Sequence, residues 1–409
     1  MFRRITYLFV LFLSLTARGQ LPVIHLQYTD SLRQDTDICS TFRLINGKDT
    51  FDCLADMHIH GQTATRYKKK SLKLKLKDSD DNKLDVGLLG MREDNSWLLD
   101  AMASDLGRCR NRVSWDIWNA FSHPSYIKDY NPNSRNGIDG KFVEVYLNGE
   151  YNGLYCLNEC LDRKQLKLKK YNEQGQRGLL VKSYYNSDMT GDKERRFFSD
   201  NTAGRWFAWN AKYPKAEEDE PLDWTPFVSI IHFLSTLDNE TIAEHLHERI
   251  DLPVLQDLLL LNELMHGDDN IQKNLYFYFY DVTQSQVMGI APWDMDATWG
   301  RDYKAAKVSP TTDLKAENTN KLFTTALLTK EINLSQRYAE LRQSHWQTDS
   351  IKTHFTRYFQ LFRQTGAAER EQQRWNGVNG LRLNFDTEEA YILQWIEQRM
   401  AYLDQKYTF

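Results

Sequence analysis

Two stretches, His266-Gly267-Asp268-Asp269-Asn270-Ile271-Gln272-Lys273-Asn274 and, after an aromatic run, Ala291-Pro292-Trp293-Asp294-Met295-Asp296, hold the densest set of carboxylates beside strand-like sequence. An Asp, an Asn five positions later and another Asp just after the next strand is the order that phosphoryl transfer uses. One carboxylate orients the attacking hydroxyl, while an amide oxygen and a second carboxylate hold a divalent ion against phosphates. Asp269 and Asn274 have that spacing; Asp268 competes for the first role, and only the distance to Asn274 favours its neighbour. The spacing alone recurs by chance, and acidic turns are commonly solvated loops. The second acidic pair sharpens it. Asp294 and Asp296 follow Val287–Ala291, which reads as a buried strand, and Trp293 and Trp299 flank them. Carboxylates so near a core are costly unless paired or bound to a metal. Asp294 also suits a cap on the turn or the following helix, and the two readings are compatible.

The elements that must carry these groups follow from hydrophobic period. Ser71-Leu72-Lys73-Leu74-Lys75-Leu76-Lys77 alternates strictly, so its leucines take one face of a strand and its lysines the other. Trp97, Leu98, Met102, Leu106, Val113, Ile117 and Phe121 recur at three- and four-residue steps and predict helix over 95–121. Phe142–Leu147, Asn148-Gly149-Glu150 and Tyr151–Leu157 read as a hairpin, because Asn-Gly supplies the positive φ of such turns. Residues 173–221 read as a long polar connection with one strand at Leu179–Lys182. Helices are expected over 224–237, 242–248 and 252–265 and again from Leu322 onward, with Asn274–Tyr280 and Val287–Ala291 pairing as strands. A strand-rich first part over 20–160 and a helix-rich second part over 161–409 predict an α+β chain of two lobes, the second carrying the acidic loops.

Met1-Phe2-Arg3-Arg4, the apolar run Tyr7–Leu13 and the small-residue stretch before Gln20 have the anatomy of a signal peptide over residues 1–19. That apolar run, at roughly ten residues, is too short to span a bilayer, and no later stretch reaches about 18 uninterrupted apolar residues. An exported chain without a stable membrane span is the expectation. The net charge of -4 argues against nucleic-acid binding. Five cysteines are too few and too odd in number for a disulfide scaffold, and Cys156 and Cys160 lack the companions a zinc site needs.

Four blocks in order resemble the signatures of the spore coat protein H-like (CotH) kinase family: Lys69-Lys70-Ser71-Leu72-Lys73-Leu74-Lys75-Leu76; Trp97-Leu98-Leu99 with Arg110-Asn111; Glu144–Tyr155 with Glu159; and Pro292-Trp293-Asp294-Met295-Asp296-Ala297-Thr298-Trp299-Gly300. The resemblance covers roughly Phe51 to Tyr303. It implies a diverged, two-lobed protein-kinase-like fold that uses ATP with Mg2+ or Mn2+ to phosphorylate serine or threonine of exported or surface proteins, or of itself. By position it implies Asp269 as catalytic residue and Asn274 and Asp294 as metal ligands, with Asp296 sharing the ion. It makes Lys75 or Lys73, then Lys69, the phosphate ligands, with a solvated lysine face as the alternative reading. Arg110 would meet a phosphate or an acidic partner, Glu159 would lie near the adenine, and Trp293 or Tyr155 would stack on the base. The family's Arg-Gly turn is replaced here by His60-Gly61-Gln62-Thr63, so a phosphate contact from that turn is not carried over.

Two other function classes use the same residues. A kinase-like surface or adhesion scaffold would bind no nucleotide. A metal-dependent hydrolase built on Asp268, Asp269, Asp294 and Asp296 would activate water and call for histidine ligands, for which His266 is the candidate in that stretch.

Overall fold

The computed structural model describes residues 19–61, 63–187, 189, 204–206, 208–216, 221–314 and 320–408. Apart from Gly19, the expected signal peptide lies outside the described residues. The first part of the chain forms β1 (Val23–Gln27), β2 (Ile38–Asn46), β3 (Asp49–His60), β4 (Ser71–Lys77), the short pair β5 (Val86–Gly87) and β6 (Glu93–Asp94), β7 (Ser96–Asp100), helix α1 (Arg110–Phe121), β8 (Gly140–Leu147) and β9 (Glu150–Asn158). Seven strands close into a barrel in the order β1-β2-β3-β4-β7-β9-β8. Closure comes from the parallel pairing of β1 with β8, which sets Val23 opposite Glu144 and leaves no open edge. The period-two pattern decides what faces inward: Leu72, Leu74 and Leu76 are fully buried in the barrel with Phe42, Met57 and Trp97. The alternate lysines face out, and Lys75 and Lys77 pair with Asp37 and Asp56 at 2.7 and 2.6 Å.

The β8–β9 hairpin forms where Asn-Gly predicts it, with Asn148 and Gly149 both at positive φ. The stretch expected to be one helix over 95–121 divides instead. Trp97, Leu98 and Leu99 belong to a strand laddered between β4 and β9, and the helix starts only at Arg110. Its start is set by Asp105, whose Oδ2 accepts from the backbone N–H groups of Cys109 and Arg110 at 2.7 and 2.8 Å.

Beyond β9 come α2 (Arg163–Leu166), β10 (Leu179–Ser183), β11 (Arg205–Trp206), β12 (Trp209–Tyr213), α3 (Thr225–Thr236), α4 (Asn239–His245), α5 (Leu252–Met265), α6 (Asp269–Gln272), β13 (Leu275–Phe279) and β14 (Gly289–Pro292). Five of these strands make an antiparallel sheet in the order β11-β12-β10-β13-β14. The predicted strand at 179–182 is there, and β11 and β12 add order to the segment read as a connection. The chain ends in α7 (Lys321–Ala326), α8 (Leu334–Gln343), α9 (Thr348–Gln364), α10 (Ala367–Trp375) and α11 (Phe385–Lys406).

The α+β content is as expected, but the two-lobed kinase-like arrangement is not what forms. The strand-rich part is a closed barrel rather than an open sheet over a helical lobe. The last helices return to it: one continuous core joins Trp115 and Trp118 of α1 and Leu98, Phe142 and Leu154 of the barrel wall to Phe355, Phe359, Phe362 and Trp395 of α9 and α11. Gly153 shows how closely they dock. At φ +119°, a Cβ there would lie 2.4 Å from the Glu371 carboxylate and 2.8 Å from the Trp375 indole nitrogen. Glu371 Oε1 accepts from Lys69 Nζ at 2.7 Å and Arg108 Nε at 2.8 Å, and Oε2 accepts from the Leu154 N–H at 2.7 Å. All three charged side chains are essentially inaccessible to solvent. Replacing Glu371 by Leu strands two buried cations and is expected to cost about 3–5 kcal/mol, measured as a lowered urea midpoint. Adding Lys69→Met to that variant is expected to restore part of the loss.

Candidate active site

The long leucine-rich helix α5 ends at His266, whose left-handed backbone (φ 52°) turns the chain sharply into α6. Asp269 opens α6, and its carboxylate is held from two sides: Asn274 Nδ2 donates to Oδ2 at 3.0 Å, and Lys273 Nζ lies 2.9 Å from Oδ1. Asp268 points elsewhere, 3.9 Å from His266 Nδ1, and does not line the cleft that Asp269 faces. Asn274 has φ 59°, and its carbonyl accepts from the Trp293 N–H at 2.8 Å. With Leu275 opposite Pro292 in the ladder, this bond closes the base of the β13–β14 hairpin. Residues 20 positions apart in sequence, Asn274 and Asp294, are thereby brought to the same end of one sheet, which period alone does not locate.

Asp294 (φ 56°) and Asp296 sit beyond that base. Non-glycine residues in this region of φ carry strain of order 1 kcal/mol or more, which the surrounding contacts must hold. Asn111 of α1 does so: its Oδ1 accepts from the Met295 N–H at 3.1 Å, and its Nδ2 donates to Asp100 Oδ2 at 3.0 Å. Ser104 Oγ donates to Asp296 Oδ2 at 2.6 Å. Asp100, Ser104, Asn111, Asp269, Asn274, Asp294 and Asp296 thus line one cleft of about 350 Å3, between the barrel, α1 and the second sheet. Solvent reaches the Asp294 carboxylate from the cleft, yet protein rings it on the remaining sides. That crowding, with Asp100 and Asp269 adding negative charge, pushes its pKa up to about 6 against the opposing pull of Lys182. Asp296 is raised as well, by desolvation and then by Asp294.

The other residues singled out in the sequence are distributed differently. Trp293 lines the cleft, wedged edge-to-face against Trp115 and Tyr276. Lys73 reaches Cys160 Sγ at 2.6 Å beside the cleft. Lys75 lies outside the cleft with Asp37. Lys69 is buried behind it, on Glu371 and the Leu154 carbonyl, with Tyr155 beneath its ammonium at 4.7 Å. Arg110 is also fully buried; it pairs with Asp105 and Glu388, each at 2.6 Å, and donates to the Thr298 and Trp299 carbonyls, so it braces the segment after Asp296. Glu159 accepts from the backbone N–H groups of Arg92 and Asp139 and from Gln165, away from the cleft. His60 and Gly61, where the family pattern has Arg-Gly, do line it.

Sequence reasoning missed Asp100, Ser104, Lys182 and Lys212. Asp100 ends a strand where the apolar spacing predicts helix, and a carboxylate closing the run Ser96-Trp97-Leu98-Leu99 is the available signal. Lys182 ends a predicted strand, and Lys212 had no signal because β12 was not anticipated. All five cysteines are free thiols.

No curated protein matches the sequence. The family model described as CotH kinase protein matches residues 57–403, further toward the C terminus than the motif blocks reach. That span holds the lysine strand, the hairpin base with its acids and the helices whose carboxylates brace them, and by this match the chain belongs to the CotH kinase protein family.

Proposed function

We propose that this protein is an exported kinase that transfers the γ-phosphoryl group of ATP to serine or threonine hydroxyls of protein substrates, itself included. The observation that carries the reading is the convergence of Asp269, Asn274 and Asp294 on one cleft at the base of a single hairpin, in a chain of the CotH kinase family. The leader-like first residues support export, and among the described residues no helix is long and apolar enough to cross a membrane.

Asp294, Asp296 and the Asn274 amide oxygen form a hard, all-oxygen donor set that fits Mg2+ or Mn2+. Desolvation, with Asp100 and Asp269 nearby, raises the Asp294 pKa, and a divalent ion would relieve that penalty on the carboxylate. Among the described residues no cluster of three or more His, Cys, Asp or Glu forms a protein-only cage. Bound there, the ion supplies neutralisation of the phosphate charge that grows toward the transition state. Asp269, fixed by Asn274 and Lys273 but with lone pairs left over, accepts the hydrogen of the acceptor hydroxyl and takes its proton as the new O–P bond forms and ADP departs. Asn111 and Ser104 keep Asp294 and Asp296 in place throughout.

Transfer of labelled γ-phosphate from ATP, with Mg2+ or Mn2+, to the protein itself and to a generic protein acceptor tests this. Asp269→Asn is expected to lower the rate about 10²–10⁴-fold, and Asp294→Asn to abolish transfer. ATP that neither labels nor thermally shifts the wild type would leave a non-catalytic scaffold as the reading.

Asp294→Asn is also expected to raise the melting temperature of the metal-free protein at pH 7.5. The pKa of this carboxyl rises on folding from the ordinary range of about 4 to about 6, so its ionisation opposes folding. The stability gap between variant and wild type should therefore open above about pH 4 and level off above about pH 6 in a melting-temperature series across pH.

A further inference from the structure

The cleft has a second pole. Opposite the carboxylates, Lys182 of β10 and Lys212 of β12 line it together. In the β10–β12 ladder Leu180 faces Tyr213 while Val181 faces Ala211, so Lys212 is the extra residue of a β-bulge. Bulges at the margin of a site re-aim a side chain that regular pairing would send elsewhere. Lys182 is paired with Tyr276 across β13, and its ammonium lies 5.6 Å from that ring and 5.0 Å from the ring of Trp293, next to Asp294. Neither lysine has an ion pair within 4 Å among the described residues, whereas Lys273 on the same cleft is paired with Asp269. Lys73 from the barrel adds a third positive charge that both lysines feel, and Asp294 is the acid that faces Lys182. Desolvation and this mutual repulsion lower both lysine pKa values, that of Lys182 to about 8, and His60 is held neutral by burial and the same cations. Such crowding is unfavourable in the empty protein and favourable once a polyanion enters.

We propose that Lys182 and the bulge residue Lys212 form the polyphosphate subsite of the cleft, so that a nucleoside triphosphate is gripped by the second sheet rather than by the barrel lysines Lys69 and Lys75. The assignment deepens the kinase reading and rests on it only for the nucleoside. A chain of phosphates lying along this sheet spans from Lys212 through Lys182 to Asp294, which places its terminal group toward the acids and Asp269.

Calorimetric titration of the full chain with ATP, inorganic tripolyphosphate and adenosine, in magnesium buffer at pH 7, tests it. Lys182→Gln and Lys212→Gln are each expected to weaken ATP and tripolyphosphate about tenfold or more and to leave adenosine unchanged. Lys182→Arg, which keeps the charge and the stacking on Trp293, is expected to retain most of the affinity, which guards against a misfolded glutamine variant. Equal ATP and tripolyphosphate binding by wild type and both glutamine variants, or a loss seen only in Lys75→Gln, would overturn the subsite while leaving the kinase reading standing. Tripolyphosphate binding without ATP binding would keep the subsite and overturn the nucleotide. Failure of the wild type to bind tripolyphosphate would overturn the subsite itself.

Discussion

Two carboxylates from the last helices, Glu371 and Glu388, are carried into the interior, where one meets a buried arginine of the loop before α1 and the other the arginine that opens α1. Glu371 takes Arg108, and Glu388 takes Arg110. A charge moved out of water costs several kcal/mol unless it is paired and its remaining hydrogen bonds are met, so these pairs form together or not at all. Arg108 gathers the carbonyls of Met102, Ala103 and Asp105, which curls the loop between β7 and α1. Arg110 ties the start of α1 to the carbonyls of Thr298 and Trp299. The cleft wall between barrel and helices is therefore set by residues at the far end of the chain.

That wall lets one cleft hold opposite charges a short distance apart. On the acidic side, Asp294 and Asn274 adopt left-handed backbone that Asn and Asp tolerate better than most residues, and Asn111 and the hairpin base pay for it in hydrogen bonds. On the basic side, a bulge at Lys212 sets it on the same cleft wall as Lys182. Neither pole is at its most stable alone, since desolvation first and like charges second raise Asp294 and lower Lys182. This is the pattern of a site built for a charged ligand rather than for the stability of the empty protein.

How legible a feature was depended on whether its cause is local. The β8–β9 turn and the leucine face of β4 were readable because Asn-Gly geometry and a period of two act within a few residues. The 95–121 stretch misled because Trp97, Leu98 and Leu99 also satisfy helical spacing; what decides for a strand is the ladder with β4 and β9, contributed by residues far along the chain. The lysines divide on the same ground. Lys69, Lys73 and Lys75 look equivalent in an alternating run, but Glu371, Cys160 and Asp37 give them three different surroundings.

By itself the sequence determined the hairpins, the leucine helix α5, the α+β content and the acidic residues worth attention, Asp269, Asn274, Asp294 and Asp296, since spacing, turn chemistry and residue type are properties of short segments. Only the tertiary structure decided that the first strands close into a barrel, because closure depends on β1 meeting β8 about 120 residues later, a pairing that local pattern does not encode. It also decided that Asp269 rather than Asp268 faces the cleft, that Arg110 and Glu159 serve as buried braces, and that Lys182 and Lys212 line the same cleft as the acids. Arg110 and Glu159 turn on partners brought in from distant parts of the chain, because burial makes an unpartnered charge costly, and the cleft-facing acids and lysines turn on how separate elements pack around one space.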